Sequence, residues 1–174
     1  MTEDATSALG TTLRGRLIRP ADADYDAARA VYNAMIDKRP ALIARCANVA
    51  DVVRCVNFAR EQNMLLAIRG GGHNGPGLGT CEGGLVIDLG SLKGVRVDPA
   101  QRTVRVEPGC TSGDVDHATH VFGLAVPFGI VANTGVAGLT LGGGSLERSG
   151  SIASAPFAGV PLYAPMIATA RFPQ

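Results

Sequence analysis

Three consecutive glycines, Gly70-Gly71-Gly72, stand between the apolar run Leu65-Leu66-Ala67-Ile68 with Arg69 and the pair His73-Asn74. The apolar run reads as a buried strand, so the glycines must open the loop that leaves it. Without Cβ atoms, that loop can enter positive φ and bring its backbone close to another molecule. Successive exposed N–H groups in such a turn form a nest for a phosphate or pyrophosphate. A histidine placed directly after them is held against whatever the nest binds. On residues 69–74 alone two readings stay open: a nucleotide-phosphate cradle with a reactive neighbour, or a glycine turn with a surface histidine.

Glycine is 23 of 174 residues, against a usual share of about 7%. The excess falls in two stretches, 70–84 and 129–150. The second holds Gly129, Gly135, Gly138, Gly142, Gly143 and Gly144. Within it, Thr134-Gly135-Val136-Ala137-Gly138 reads as the start of a short helix whose first N–H groups would point at an anion. A flexible loop is the alternative. Two glycine loops flanking one β-rich region suggest that both line a single elongated ligand.

The length allows about one domain, or one plus an incomplete neighbour. Hydrophobic residues make up 46% and aromatics 5%, with no Trp, so the core must come from Val, Leu, Ile and Ala. A net charge of +1 gives no basic face for nucleic acid. The four cysteines, at 46, 55, 81 and 110, form no C-x-x-C pair, which disfavours structural zinc. Cys46, Cys55 and Cys110 sit beside apolar residues as small core fillers, while Cys81 lies in the loop after the nest as an exposed, reactive thiol. Residues 1–19 read as a disordered lead, polar and without an apolar segment for secretion, and the expected location is cytoplasmic.

Residues 22–36 read as a helix with Ala27, Ala28, Val31, Ala34 and Met35 along one stripe. A short strand at 41–44 precedes a helix at 49–62, capped by Asn48, with Val49, Val52, Val53, Val56 and Ala59 inward. Strands follow at 65–68 and 84–89. Val95 and Val97, then Val104 and Val106, alternate with polar residues and predict a hairpin turning at 98–102. Thr111 and Asp114 resemble a capping box for a helix at 112–122, with Val115, Ala118 and Phe122 inward. His117 and His120 on that helix read as an exposed polar face. Asp88, closing a strand, is a candidate turn acceptor. This order indicates mixed α and β without regular βαβ alternation. From Ser149 to Ala170 there is no charged residue, and Pro156, Pro161 and Pro165 interrupt the stretch. The prolines argue against a membrane helix, leaving an irregular tail.

The stretch from Arg69 to Leu89 resembles the flavin domain of FAD-linked oxidases of the vanillyl-alcohol-oxidase-like group, nearest the berberine-bridge-enzyme-like branch. Val106-Glu107-Pro108-Gly109-Cys110, Gly113-Asp114-Val115, Phe122 to Pro127 and Gly135 to Gly144 fit the same pattern. The resemblance runs from about Pro20 to Gly144. It implies an α+β, PCMH-type FAD-binding domain, with the first subdomain and part of the second spanning 20–146, and a tail at 147–174 outside the pattern. It implies that Arg69, Gly70, Gly71, Gly72, His73, Asn74 and Gly77 in the first loop, and Gly129, Thr134, Gly135, Gly138, Gly142 and Gly143 in the second, hold FAD. It also implies that His73 bonds covalently to the 8α-methyl carbon of the isoalloxazine. Many relatives carry a second link through a cysteine, and Val131 stands in that place, so one covalent link at most is expected.

Relatives oxidise an alcohol or sugar-like small molecule, using a second domain and a tyrosine base. Ser145 to Gly150 keeps only a trace of the family pattern, and nothing after it resembles the substrate domain. A truncated or frameshifted reading frame is the simplest expectation from this departure. None of Tyr25, Tyr32 and Tyr163 falls where the base would stand. The chain alone is therefore expected to be inactive or weakly active, with a non-catalytic flavin-binding remnant as the alternative.

Overall fold

The computed structural model describes residues 2–126 and 128–142, together with the backbone at 146–148, 151–153 and 168–171. The chain divides into two units, Met1–Leu92 and Lys93–Gln174. In the first, the order is α1 (Glu3–Thr12), β1 (Arg16–Ile18), α2 (Tyr25–Arg29), β2 (Leu42–Arg45), α3 (Val49–Glu61), β3 (Leu66–Arg69) and β4 (Leu85–Asp88). The sheet runs β1-β2-β4-β3. β2, β4 and β3 are parallel, and β1 joins β2 antiparallel.

Side chains alternate faces along each strand. Leu42, Ala44, Leu85 and Ile87 pack on one side with Leu9 and Leu13 and with Cys55, Phe58 and Ala59 of α3. Ile43 and Val86 pack on the other with Ile18, Tyr25, Ala28, Ala67 and Cys81. Cover on both faces explains why the central strands are continuous apolar runs.

Residues 2–19 carry α1 and β1, contrary to the expected disordered lead. Thr2 caps α1 by accepting the Ala5 N–H at 3.3 Å. Leu9 and Leu13, spaced four apart on one face, are buried, and each such burial contributes about 2 kcal/mol. At the end of the lead, the carboxylate of Asp51 accepts the N–H groups of Arg14 at 3.0 Å and Gly15 at 2.9 Å. It also accepts that of Ala47 at 3.0 Å. Burial alone would raise the Asp51 carboxyl, but these donors and Arg54 outweigh it and hold it below the ordinary range. Asp51 therefore sets the buried face of α3. That face carries Asp51, Cys55, Phe58 and Ala59, while Val53 and Val56, expected inward, are 50% and 40% exposed.

The helix expected at 22–36 is confined to α2. Residues beyond Ala30 leave the helix because their polar groups bond to the glycine loop. Cys81 is buried, not exposed. Its thiol packs against the carbonyl of Leu85 at 3.7 Å, and burial pushes it up from the ordinary thiol range.

In the second unit, β5 (Val95–Asp98) and β6 (Thr103–Val106) form the expected hairpin. α4 (Ser112–His120) and α5 (Val136–Leu141) follow, then β7 (Leu146–Arg148), β8 (Ser151–Ala153) and β9 (Ala168–Arg171). β9 pairs with β6, and β7 with β8. These three strands fall at the end of the family stretch and in the expected irregular tail, most of which lies outside the described residues. Thr111 and Asp114 make the full capping box of α4. Asp114 also meets Lys93 at 2.5 Å. α4 stops before Gly123, whose φ of +66° ends the helix in the left-handed region. Phe122 is consequently 51% exposed, and Thr119 is buried instead. Among the described residues no helix is long and apolar enough to cross a membrane.

Candidate functional site

β3 delivers the chain to the glycine loop, and its last residue, Arg69, pairs in register with Asp88 at the end of β4. The Arg69 side chain turns into the interior. Nη2 donates to Asp88 Oδ2 at 3.0 Å and to the Ala28 carbonyl at 2.6 Å. Nη1 donates to the Ala30 carbonyl at 3.3 Å. One guanidinium fork thus satisfies a buried carboxylate and the carbonyls that end α2. Asp88 Oδ1 accepts the Gly90 N–H at 2.9 Å, the turn-acceptor role expected of it.

Above this floor the two polar sides of the loop have different fates. The carbonyls of Gly72, Asn74, Gly75 and Gly77 are occupied, while those of Gly70, Gly71 and His73 accept no bond among the described residues. Gly72 O accepts the Tyr32 N–H at 3.2 Å, Gly75 O accepts Asn33 Nδ2 at 2.9 Å, and Gly77 O accepts Lys38 Nζ at 3.0 Å. The N–H groups of Gly70, Gly71, Gly72, His73 and Asn74 donate to no acceptor among the described residues. Successive free N–H groups are the donors that an anion nest presents. The turn needs glycine at Gly72, where φ is +70°. Asn74 closes it, its Oδ1 accepting the Leu78 N–H at 2.8 Å. At Gly77, φ is +75°, and a Cβ there would lie 2.6 Å from Ile36 Cγ2. The ring of His73, half-buried, stacks on Tyr32 with centroids 4.0 Å apart and planes inclined by 19°.

In the second unit, Thr134 O accepts the Ser112 N–H at 2.9 Å, and the Val136 N–H is bonded to Cys110 O at 3.0 Å. These bonds tie Thr134 and the buried Gly135 to the start of α4. The N–H groups of Ala137 and Gly138 have no acceptor among the described residues. Gly129 and Gly138 face open space, with no atom within 4 Å of a Cβ built on either. Gly142 ends α5, its N–H on Gly138 O at 2.9 Å, and Gly143 lies outside the described residues. His117 and His120 are exposed on α4, with ring centroids 6.2 Å apart.

Residues 40–154 match a family model described as an FAD binding domain. The chain belongs to this FAD-binding family. An FAD-linked oxidoreductase of Dictyostelium discoideum is 45% identical over 120 residues, covering 68% of this chain and 26% of the relative. The solved 6-hydroxy-D-nicotine oxidase of Arthrobacter nicotinovorans gives a TM-score of 0.72 at 34% identity, covering 74% of this chain and 28% of that one. BBE-like 1 of Physcomitrella patens gives 0.74 at 27% identity, covering 80% and 31%. The chain thus spans about a quarter to a third of these relatives. Its FAD-binding domain is similar to that of FAD-linked oxidoreductases, berberine-bridge-enzyme-like proteins among them.

The donor set suits FAD. A pyrophosphate is an acceptor-only group, and the loop offers five successive free N–H groups, with the carbonyls of Gly72, Asn74, Gly75 and Gly77 already held. Tyr32, Asn33 and Lys38, which occupy three of those carbonyls, carry no motif of their own. The one hint in the sequence is their content of donors just before Pro40, in a stretch whose apolar spacing reads as helix.

Proposed function

We propose that this FAD-binding chain holds the pyrophosphate of its cofactor on Gly70–Asn74 and bonds covalently to the flavin through His73. The run of five free N–H groups that includes a histidine carries this reading. Gly77 shapes the loop from below, and Arg69 acts through the floor rather than through contact. Gly129, Thr134, Gly135, Gly138, Gly142 and Gly143 are the further cofactor residues of the second unit, with the free N–H groups of Ala137 and Gly138 as donors.

His73 would supply the imidazole nitrogen for the bond to the 8α-methyl carbon and would give up its ring proton as that bond forms. Attachment would be a net two-electron, two-proton oxidation, with dioxygen as the terminal acceptor and hydrogen peroxide as its product. Bound FAD would otherwise supply the hydride-accepting chemistry, while the protein supplies position and electrostatics. Val131 cannot form a thioether, so His73 is the single anchor. An alcohol or sugar-like small molecule is the substrate class we infer for an enzyme built on this domain.

A second reading, a non-catalytic flavin-binding module, is favoured by one observation. The Tyr25 hydroxyl is spent on the Pro40 carbonyl at 2.7 Å, and Tyr32 is stacked on His73. Tyr25 is therefore not free to serve as a base, and the exposed Tyr32 hydroxyl has no hydrogen-bond partner among the described residues that would activate it. Acid precipitation of the purified chain tests the main reading. Yellow colour should stay in the pellet, and His73→Ala should release it to the supernatant. A colourless chain, or colour that persists in His73→Ala, overturns covalent attachment at this residue. Turnover of an alcohol or sugar by the chain alone would remove the second reading.

A further inference from the structure

The geometry points to Tyr32 as a positioning residue for His73, fixing the imidazole plane so that its nitrogens face the bound flavin. This rests on the reading of His73 as the anchor. Tyr32 is tied twice to the loop. Its backbone N–H bonds to Gly72 O at 3.2 Å, one residue before His73, and its ring stacks on the imidazole at 4.0 Å. Its neighbour Asn33 adds a third tie, through Gly75 O at 2.9 Å. His73 itself makes no hydrogen bond among the described residues, so the stack is what restrains its side-chain torsions.

A stack covers one face of the imidazole and leaves the edge bearing both nitrogens open, whereas a hydrogen bond would occupy a nitrogen that must react. Tyr32 is 66% exposed, so its ring has no core to fill, and its one aromatic partner among the described residues is His73. Bond formation at carbon is sensitive to the approach of the attacking atom, and a well-held geometry accelerates such steps.

The test follows acid-precipitable flavin over time after FAD is added to the purified, flavin-free chain. Tyr32→Ala should bind FAD with its attachment slowed about three- to ten-fold. Tyr32→Phe, which keeps the stack and loses only the hydroxyl, should attach at the wild-type rate. A second readout needs no flavin. In NMR spectra the His73 ring protons should lie upfield of those of exposed His117 and His120, and Tyr32→Ala should abolish that shift. Wild-type attachment by Tyr32→Ala, or unchanged His73 signals, overturns the proposal. Acid-stable flavin in His73→Ala would instead defeat the anchor reading on which it rests.

Discussion

Arg69 and Asp88 end neighbouring parallel strands and meet at 3.0 Å beneath the glycine loop, 7% and 10% exposed at their side chains. Removing one member of such a pair strands the other charge in the interior. Asp88→Ala also deprives the Gly90 N–H of its acceptor. A loss of about 3–5 kcal/mol is expected, measured as a lower urea midpoint with an unchanged slope.

Asp51 makes the first unit sensitive to acid. Its folded pKa lies below the unfolded value, so the stability it contributes is complete above about pH 4 and is lost as pH falls through the folded value. Asp51→Asn should flatten the acid limb of stability against pH. Asp114 acts likewise in the second unit. Its bonds to Lys93 and Thr111 outweigh burial and hold its carboxyl at about 2. The corresponding loss should run from about pH 4 down to that value. Urea midpoints collected between pH 7 and pH 2 check both, and an Asp51→Asn curve parallel to wild type would refute the Asp51 assignment.

Gly77 and Gly75 separate two effects within one loop. Alanine at Gly77 would combine a φ of +75° with a Cβ 2.6 Å from Ile36, whereas alanine at Gly75 meets no atom within 4 Å. Gly77→Ala should cost about 1–2 kcal/mol and weaken FAD uptake. Gly75→Ala should change stability by less than about 0.5 kcal/mol. Thermal melts with and without FAD distinguish them.

All four thiols are buried and free, and burial raises Cys81 and Cys110. A thiol reagent at neutral pH should label none of them rapidly in the native chain and all of them in urea. Rapid native labelling that vanishes in Cys81→Ser would contradict the buried placement of Cys81.

The strands at 42–45, 66–69 and 85–88, helix α3, the hairpin and the capping box of α4 were readable because their signals are local. Periodicity, Asn48 and the Thr111–Asp114 spacing each lie within a few residues of what they determine. Helix α1 was not, since only Leu9, Leu13 and the half-apolar Thr6 mark its buried face among polar and small residues. The segment after Ala30 misled for the opposite reason. Its spacing is helical, yet its conformation is settled by bonds to residues 72–77, which no local pattern reveals. The glycine loop after β3 and the histidine beside it were legible. That Arg69 points inward, and that Asp51 would be a fully buried acid, depended on partners distant in sequence.

The occupied carbonyls of Gly75 and Gly77 bear on how portable the glycine motif is. Asn33 and Lys38, which hold its carbonyls, lie 42 and 39 residues upstream of their partners and before the matched range 40–154. A shortened protein beginning at residue 40 would keep every glycine and the histidine. Its loop carbonyls would lose those partners and be free to turn toward the ligand, where they would repel a pyrophosphate. Grafting residues 69–77 onto another scaffold should therefore fail to transfer anion binding unless residues 32–38 travel with them.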